Sequence, residues 1–138
     1  MTAKELLQHQ IDEANYQLGK VFEGVDASLD FKLTEQSMTP RETAIHLAEC
    51  YTALAKDLAG EKHEWGTYVP GTKEWPGLWD ELQALRSAAV AAVMAEGGDV
   101  MKGHSFIVGH DFYHVGQLCQ VRLACDPGWD AYSIYNWG

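Results

Sequence analysis

Apolar positions at helical spacing divide the chain into four segments. Residues 3–22, AKELLQHQIDEANYQLGKVF, carry Leu7, Ile11, Ala14 and Leu18 three or four apart, while Lys4, Glu5, Glu13 and Lys20 take other faces. That spacing lays one apolar stripe along a helix and predicts an amphipathic one. Thr39-Pro40-Arg41-Glu42 predicts the start of a second helix. Threonine can cap, proline suits the first helical position, and a glutamate three residues after the cap completes a capping box. This helix is expected to run through ETAIHLAECYTALAKDLAG with Leu47, Cys50, Leu54 and Leu58 inward, and to stop at Gly60. Residues 78–96, LWDELQALRSAAVAAVMAE, predict a third, with Leu78, Leu82, Leu85, Ala89 and Val93 inward and Gly97-Gly98 closing it. The stretch from His104 to Ala124, HSFIVGHDFYHVGQLCQVRLA, predicts a fourth that ends before Pro127.

The connections differ in character. Residues 24–38, GVDASLDFKLTEQSM, are polar with Leu29, Phe31 and Leu33 as apolar anchors, and read as an ordered connection. Residues 61–77, EKHEWGTYVPGTKEWPG, are rich in glycine, proline and aromatics. A connection this long is uncommon inside one domain. One use for it is to cross the length of a bundle so that neighbouring helices run parallel. The tail, DPGWDAYSIYNWG, presents Trp129, Tyr132, Tyr135 and Trp137, which are expected to cover a bundle end or a partner. Four helices and no strand hairpin make the expected fold all-α: one domain over residues 1–138, a four-helix bundle with a long crossover connection.

Composition narrows the function classes. The chain's 138 residues are enough for one core. A net charge of −10 argues against nucleic acid and against an anionic membrane surface. MTAKELLQHQ has no apolar core of a signal peptide, and no apolar run approaches the ~20 residues of a membrane span. The 3 cysteines are an odd number and too few for a disulfide scaffold, so reduced thiols and a cytoplasmic location are expected.

The candidate chemistry lies in the histidines. With His110 at 0° and about 100° per residue, His114 falls at about 40°, together with Phe106, Ile107, Gln117, Leu118 and Val121. Asp111 and Arg122 fall roughly 100° or more away, on the flank. Both imidazoles thus point at the core, and His46 on the second helix sits on the shoulder of its apolar stripe. An i, i+4 histidine pair plus a third histidine from a facing helix makes a three-ligand divalent metal site with positions left open. An open position holds water or a thiol and lowers its pKa. Histidines that merely hydrogen-bond one another are the competing reading. Gln117, one turn past His114, is either a group that hydrogen-bonds a metal-bound ligand or a satisfied core amide. Cys50, one turn past His46, is a fourth ligand, a reactive thiol or a structural cysteine. Glu42 and Glu49 flank His46 as proton-transfer candidates or as a solvated face. Asp111 is expected to point outward, and His9, His63 and His104 to lie on the surface. Cys119 falls on the side away from His110. Trp65, Tyr68, Trp75 and the tail aromatics are pocket walls, packing or a dimer interface.

The segment His110-Asp-Phe-Tyr-His114-Val-Gly-Gln117 resembles the HxxxHxxQ segment on the last helix of the DinB/YfiT-like superfamily. TPRETAIHLAEC, residues 39–50, resembles that family's second helix, and PGWDAYSIYNWG its C-terminal tails. The resemblance implies a four-helix bundle with a long second connection and a divalent metal, zinc or nickel, on His46, His110 and His114, often in a homodimer. It also implies a small-molecule thiol or electrophile as partner, because characterised relatives include thiol-dependent transferases and isomerases. The expected function is a metal-dependent transferase or hydrolase that activates a low-molecular-weight thiol or water, with Gln117 as a catalytic residue. The alternative is a non-catalytic metal- or ligand-binding bundle, linked to stress. No Ser-His-Asp arrangement or phosphate loop is visible.

Overall fold

The computed structural model describes residues 1–136, so Trp137 of the tail lies outside the described residues. These residues form an all-α bundle. Its helices are α1 (Ala3–Phe22), α2 (Pro40–Leu58), α3 (Gly77–Met94), α4 (Val100–Gly103) and α5 (His110–Cys125). A π-helical turn, His104–Gly109, joins the last two, and the residues at both its ends keep right-handed helical dihedrals. α4, this turn and α5 are therefore one continuous fourth rod. Short 3-10 turns occupy Val25–Ser28 and Ala131–Ile134.

Local chemistry accounts for the ends. At α2, Thr39 Oγ1 accepts from the Glu42 N–H (3.1 Å) and the Glu42 carboxylate accepts from the Thr39 N–H (3.0 Å). Thr2 and Glu5 repeat that box at α1. α2 stops at Gly60, whose φ of 79° a β-carbon would strain. The N–H groups of Gly60 and Glu61 reach back to the carbonyls of Asp57 (3.0 Å) and Lys56 (2.8 Å). α3 ends at Met94, two residues earlier than its spacing predicts.

The core collects Leu7, Ile11 and Leu18 from α1, Leu47 and Tyr51 from α2, Leu78 and Leu82 from α3, and Ile107 and Leu118 from the fourth rod. Each such apolar burial stabilises by about 1.5–3 kcal/mol. Gly103 lets α1, α3 and α4 close up, since a β-carbon there would stand 2.9 Å from Leu7 Cδ2 and 3.2 Å from Val93 Cγ2.

Three inward faces are turned from the expected ones. On α2, Ala44, Ala48 and Tyr51 join Leu47 and Leu54, whereas Cys50 and Leu58 are half-buried. On α3, Arg86 is buried and Leu85 only half so. On the fourth rod, Phe106 faces outward, while Asp111 and Arg122 are buried. The buried set there, from His114 to Arg122, centres about 80° from His110 on the same helical stepping, so Phe106 falls outside it.

The cause is pairing across the bundle. Asp111, fully buried, accepts from Arg86 Nε (3.0 Å) and Nη2 (2.9 Å) at Oδ2, and from the Tyr51 hydroxyl at Oδ1. Arg86 Nη2 also donates to the Ile11 carbonyl at 2.9 Å. One charged cluster thus ties α1, α2, α3 and α5 together. Periodicity cannot see it, because the partners lie on separate helices.

Arg122 is buried for a similar reason. Its guanidinium donates to the carbonyls of Val21 (2.9 Å), Glu23 (2.6 Å) and Gly24 (3.3 Å), and lies 4.8 Å over the Trp129 ring. A cation supplied by α5 therefore caps the negative end of α1. Hydrogen bonds from a charged group contribute about 1.5–3 kcal/mol. Arg122→Gln is accordingly expected to lower the unfolding free energy by about 1–3 kcal/mol. An unchanged urea midpoint would refute that role.

The aromatic segments pack only in part. Trp75 and Trp79 each stand 5.3 Å from the Phe22 ring, and with it they line a cavity of ≈ 450 Å³ against the end of α1, so they both pack and wall a pocket. Trp65 is exposed, Leu33 is exposed where an anchor was expected, and Tyr132 in the tail is 81% exposed. In the tail, Ile134 is buried in the core and Trp129 packs half-buried against it. Among the described residues no helix is long and apolar enough to cross a membrane.

Candidate metal centre

α2 contributes His46, and α5 opens with His110 and presents His114 one turn later. The three imidazoles converge. His110 Nε2 stands 3.3 Å from His46 Nε2 and 3.0 Å from His114 Nε2. One donor atom from each ring lies within 4.8 Å of the other two. The rings meet edge to face, at 67–88° to one another, so nitrogens and not ring faces meet at the centre.

These separations suit a metal ion. Two nitrogens bound at ~2.1 Å and ~90–110° apart lie about 3.0–3.4 Å from each other. Hydrogen bonding alone accounts for the arrangement less well. A neutral imidazole has one N–H, so His110 Nε2 can donate to one neighbour and not to both. A cation at the centre would satisfy all three lone pairs together.

Electrostatics favour the ligating form. Burial lowers the pKa of His46, against an opposing pull from Glu49, and burial with the charge of His46 lowers that of His110. His114 is pushed down to about 4, by burial first and then by the other two histidines. The rings are therefore neutral at pH 7, as a metal requires. A stability consequence follows for metal-free protein. The unfolded chain takes up these protons near 6.5, whereas folded His114 resists until about 4. Stability is thus complete above about pH 6.5 and falls as the pH drops through that window. Urea midpoints of chelated protein should decline between pH 7 and pH 4.5, and less steeply in His114→Gln. Equal slopes would contradict the shift.

The remaining candidates separate clearly. Cys50 Sγ lies beside the His46 ring, 3.7 Å from Nε2 and 3.9 Å from Nδ1, outside the three-donor group. Burial pushes its thiol up to about 11. Gln117 is exposed one turn past His114 and donates to the Tyr113 hydroxyl at 3.0 Å. Glu42 caps α2. Glu49 is not a solvated face, because it accepts from the N–H groups of Gly66 (3.3 Å) and Tyr68 (3.1 Å). His63 is buried, contrary to expectation, with Nε2 3.5 Å from Glu49 Oε2 and its ring against Trp65. The segment after α2 folds back over that helix and covers both. Asp111 points inward, as described above. His9 and His104 are exposed, as expected.

Sequence reasoning missed Arg86 and Tyr51. A signal was present: Arg86 stands four residues after Leu82 and three before Ala89, in the apolar stripe of α3. A charge at an inward helical position requires a buried partner.

A cavity of ≈ 390 Å³ opens between the connection before α2, Thr43 in the first turn of α2, and Gln117, Leu118, Gln120 and Val121 of α5; none of the three histidines lines it. Set against models of known families, curated proteins and solved structures, the chain matches none of them.

Proposed function

We propose that this chain is a DinB/YfiT-like metalloprotein in which His46, His110 and His114 hold a divalent ion. The observation that carries the reading is the pair of Nε2 separations, 3.3 and 3.0 Å. Loop contacts support the crossover topology that the resemblance implies. Arg41 in the first turn of α2 donates to the Lys73 carbonyl, just ahead of α3. Asp57 near the end of α2 meets Lys102, shortly past α3, at 2.5 Å. α2 and α3 then run the same way, and the segment between them returns along the bundle, held midway by Glu49 and by Glu81, which accepts from the Tyr68 hydroxyl at 2.9 Å.

Three neutral imidazoles leave coordination positions open, and imidazole sites suit zinc and nickel. Bound there, the ion supplies Lewis-acid activation of a thiol or a water. The chain's own residues do the rest. Burial keeps the ligands unprotonated. The Asp111–Arg86–Tyr51 cluster holds the first turn of α5 against α2. Gln117, at the exposed end of this face, offers an amide to a reactant at the open position. The reading is a metal-dependent transferase or hydrolase acting on a small thiol or electrophile, in a homodimer. One observation favours the second reading, a non-catalytic metal-binding bundle: the Cys50 sulfur lies close enough to His46 to become a closing ligand.

Metal analysis of tag-free Cys50→Ser protein separates the two. Retention of one ion per chain, together with metal-dependent conjugation of thiols to electrophiles by wild type, supports the enzyme. Loss of the ion in Cys50→Ser makes the site a closed one.

A further inference from the structure

We infer that the cavity beside the three histidines is the reactant pocket, and that it takes an uncharged small molecule with an apolar body and hydrogen-bonding groups. This rests on the metal-centre reading for its chemistry and on the cavity itself for its specificity.

Position comes first. Thr43, three residues before His46, lines the cavity, as do Gln117 and Leu118, three and four residues after His114. Each of these lies one helical turn, about 5.4 Å, from the corresponding histidine. α2 and α5 thus present to the cavity the turn adjoining the metal ligands. The volume of ≈ 390 Å³ falls within the ~300–1,000 Å³ of small-molecule sites.

Lining chemistry sets the class. Leu33, Met38, Leu118 and Val121 supply the apolar part, and the other side chains end in hydroxyls or amides. None of the lining residues is charged, although charged residues make up 22% of the chain. A carboxylate or phosphate entering the metal-free cavity would lose water and gain no counterion from the lining, an expensive exchange. The net charge of −10 adds a repulsive field against anions. An ammonium group would likewise find no anionic partner in the lining. An amide, ester or alcohol can trade its water for the hydroxyl and amide groups of the wall.

Fluorine NMR with 4-fluorobenzamide and 4-fluorobenzoate, alike in shape and different in charge, tests this. In metal-free protein the amide is expected to bind at least about tenfold more tightly, because the acid leaves an unpaired charge. Gln120→Lys and Thr34→Lys, each at an exposed lining position, should narrow that gap several-fold by supplying the missing cation. In protein shown to hold cobalt(II), the bound amide's fluorine should relax faster beside the paramagnetic ion. No amide binding, equal affinity for the two probes, or indifference to both lysines overturns the uncharged assignment. Amide binding without faster relaxation in cobalt-loaded protein overturns the pocket's place beside the histidines. Failure to take up cobalt instead removes the three-histidine reading, and the metal-free comparison still judges the pocket.

Discussion

Replacing His110 with alanine is expected to lower divalent-metal affinity by at least on the order of 100-fold, since even partners that only orient a ligand are worth ~10–100-fold. His110 is the central ring, the one whose Nε2 approaches both of the others, at 3.3 and 3.0 Å. Its loss leaves His46 and His114 with no third donor between them. The fold should survive, because His110 is half-buried and stands outside the apolar core. His104→Ala, an exposed histidine on the same rod, is the matched control and should bind like wild type. Competition titration with zinc, read beside far-ultraviolet circular dichroism, checks both. Wild-type affinity in His110→Ala would remove the three-histidine site.

The second large effect concerns stability. Arg86→Leu leaves Asp111 buried without its counterion, and breaking such a pair costs about 3–5 kcal/mol. A domain has about 5–15 kcal/mol in all, so the variant should stand near the edge of unfolding. Arg86→Leu combined with Asp111→Leu should regain much of the loss, since an apolar replacement of a buried pair is often neutral or better. Tyr51→Phe should cost about 1–3 kcal/mol, the penalty for one lost partner of a buried group. Urea unfolding of the four proteins decides it. A loss under about 1 kcal/mol in Arg86→Leu would mean that the ion pair does not hold the bundle. Because Asp111 adjoins His110, Arg86→Leu should also weaken metal binding. A weakening confined to His110→Ala would separate the site from its support.

Both results bear on how a reader of the sequence should treat a charge on a helix. Asp111 and Arg122 look like flank residues when each helix is taken alone. They become core residues once Arg86, Tyr51 and the carbonyl end of α1 are placed opposite them. The buried face accordingly centres about 80° from His110, which leaves His110 at its shoulder and turns Phe106 out. A three-ligand site at a bundle shoulder can still be reached by a reactant. Had His110 stood at the middle of the buried face, any ion held there would have been sealed in.

The sequence by itself determined the helices, because their signals are local. Apolar spacing drew the stripes of Leu7, Ile11, Ala14 and Leu18, and Thr39 with Glu42 marked a start whose capping box forms as expected. Spacing also placed His110 and His114 on one side of one helix, and the pair with His46 was legible as a candidate. Only the tertiary structure decided that the three nitrogens meet within 4.8 Å, and that Cys50 lies beside a ring and outside that group. It alone decided that Glu49 and His63 serve the fold of the long connection, and that Arg86 meets Asp111. The physical reason is range. Helix periodicity and capping act within about four residues. The burial of a charge depends on a partner that may lie anywhere in the chain, and here the partners are 25 and 60 residues away.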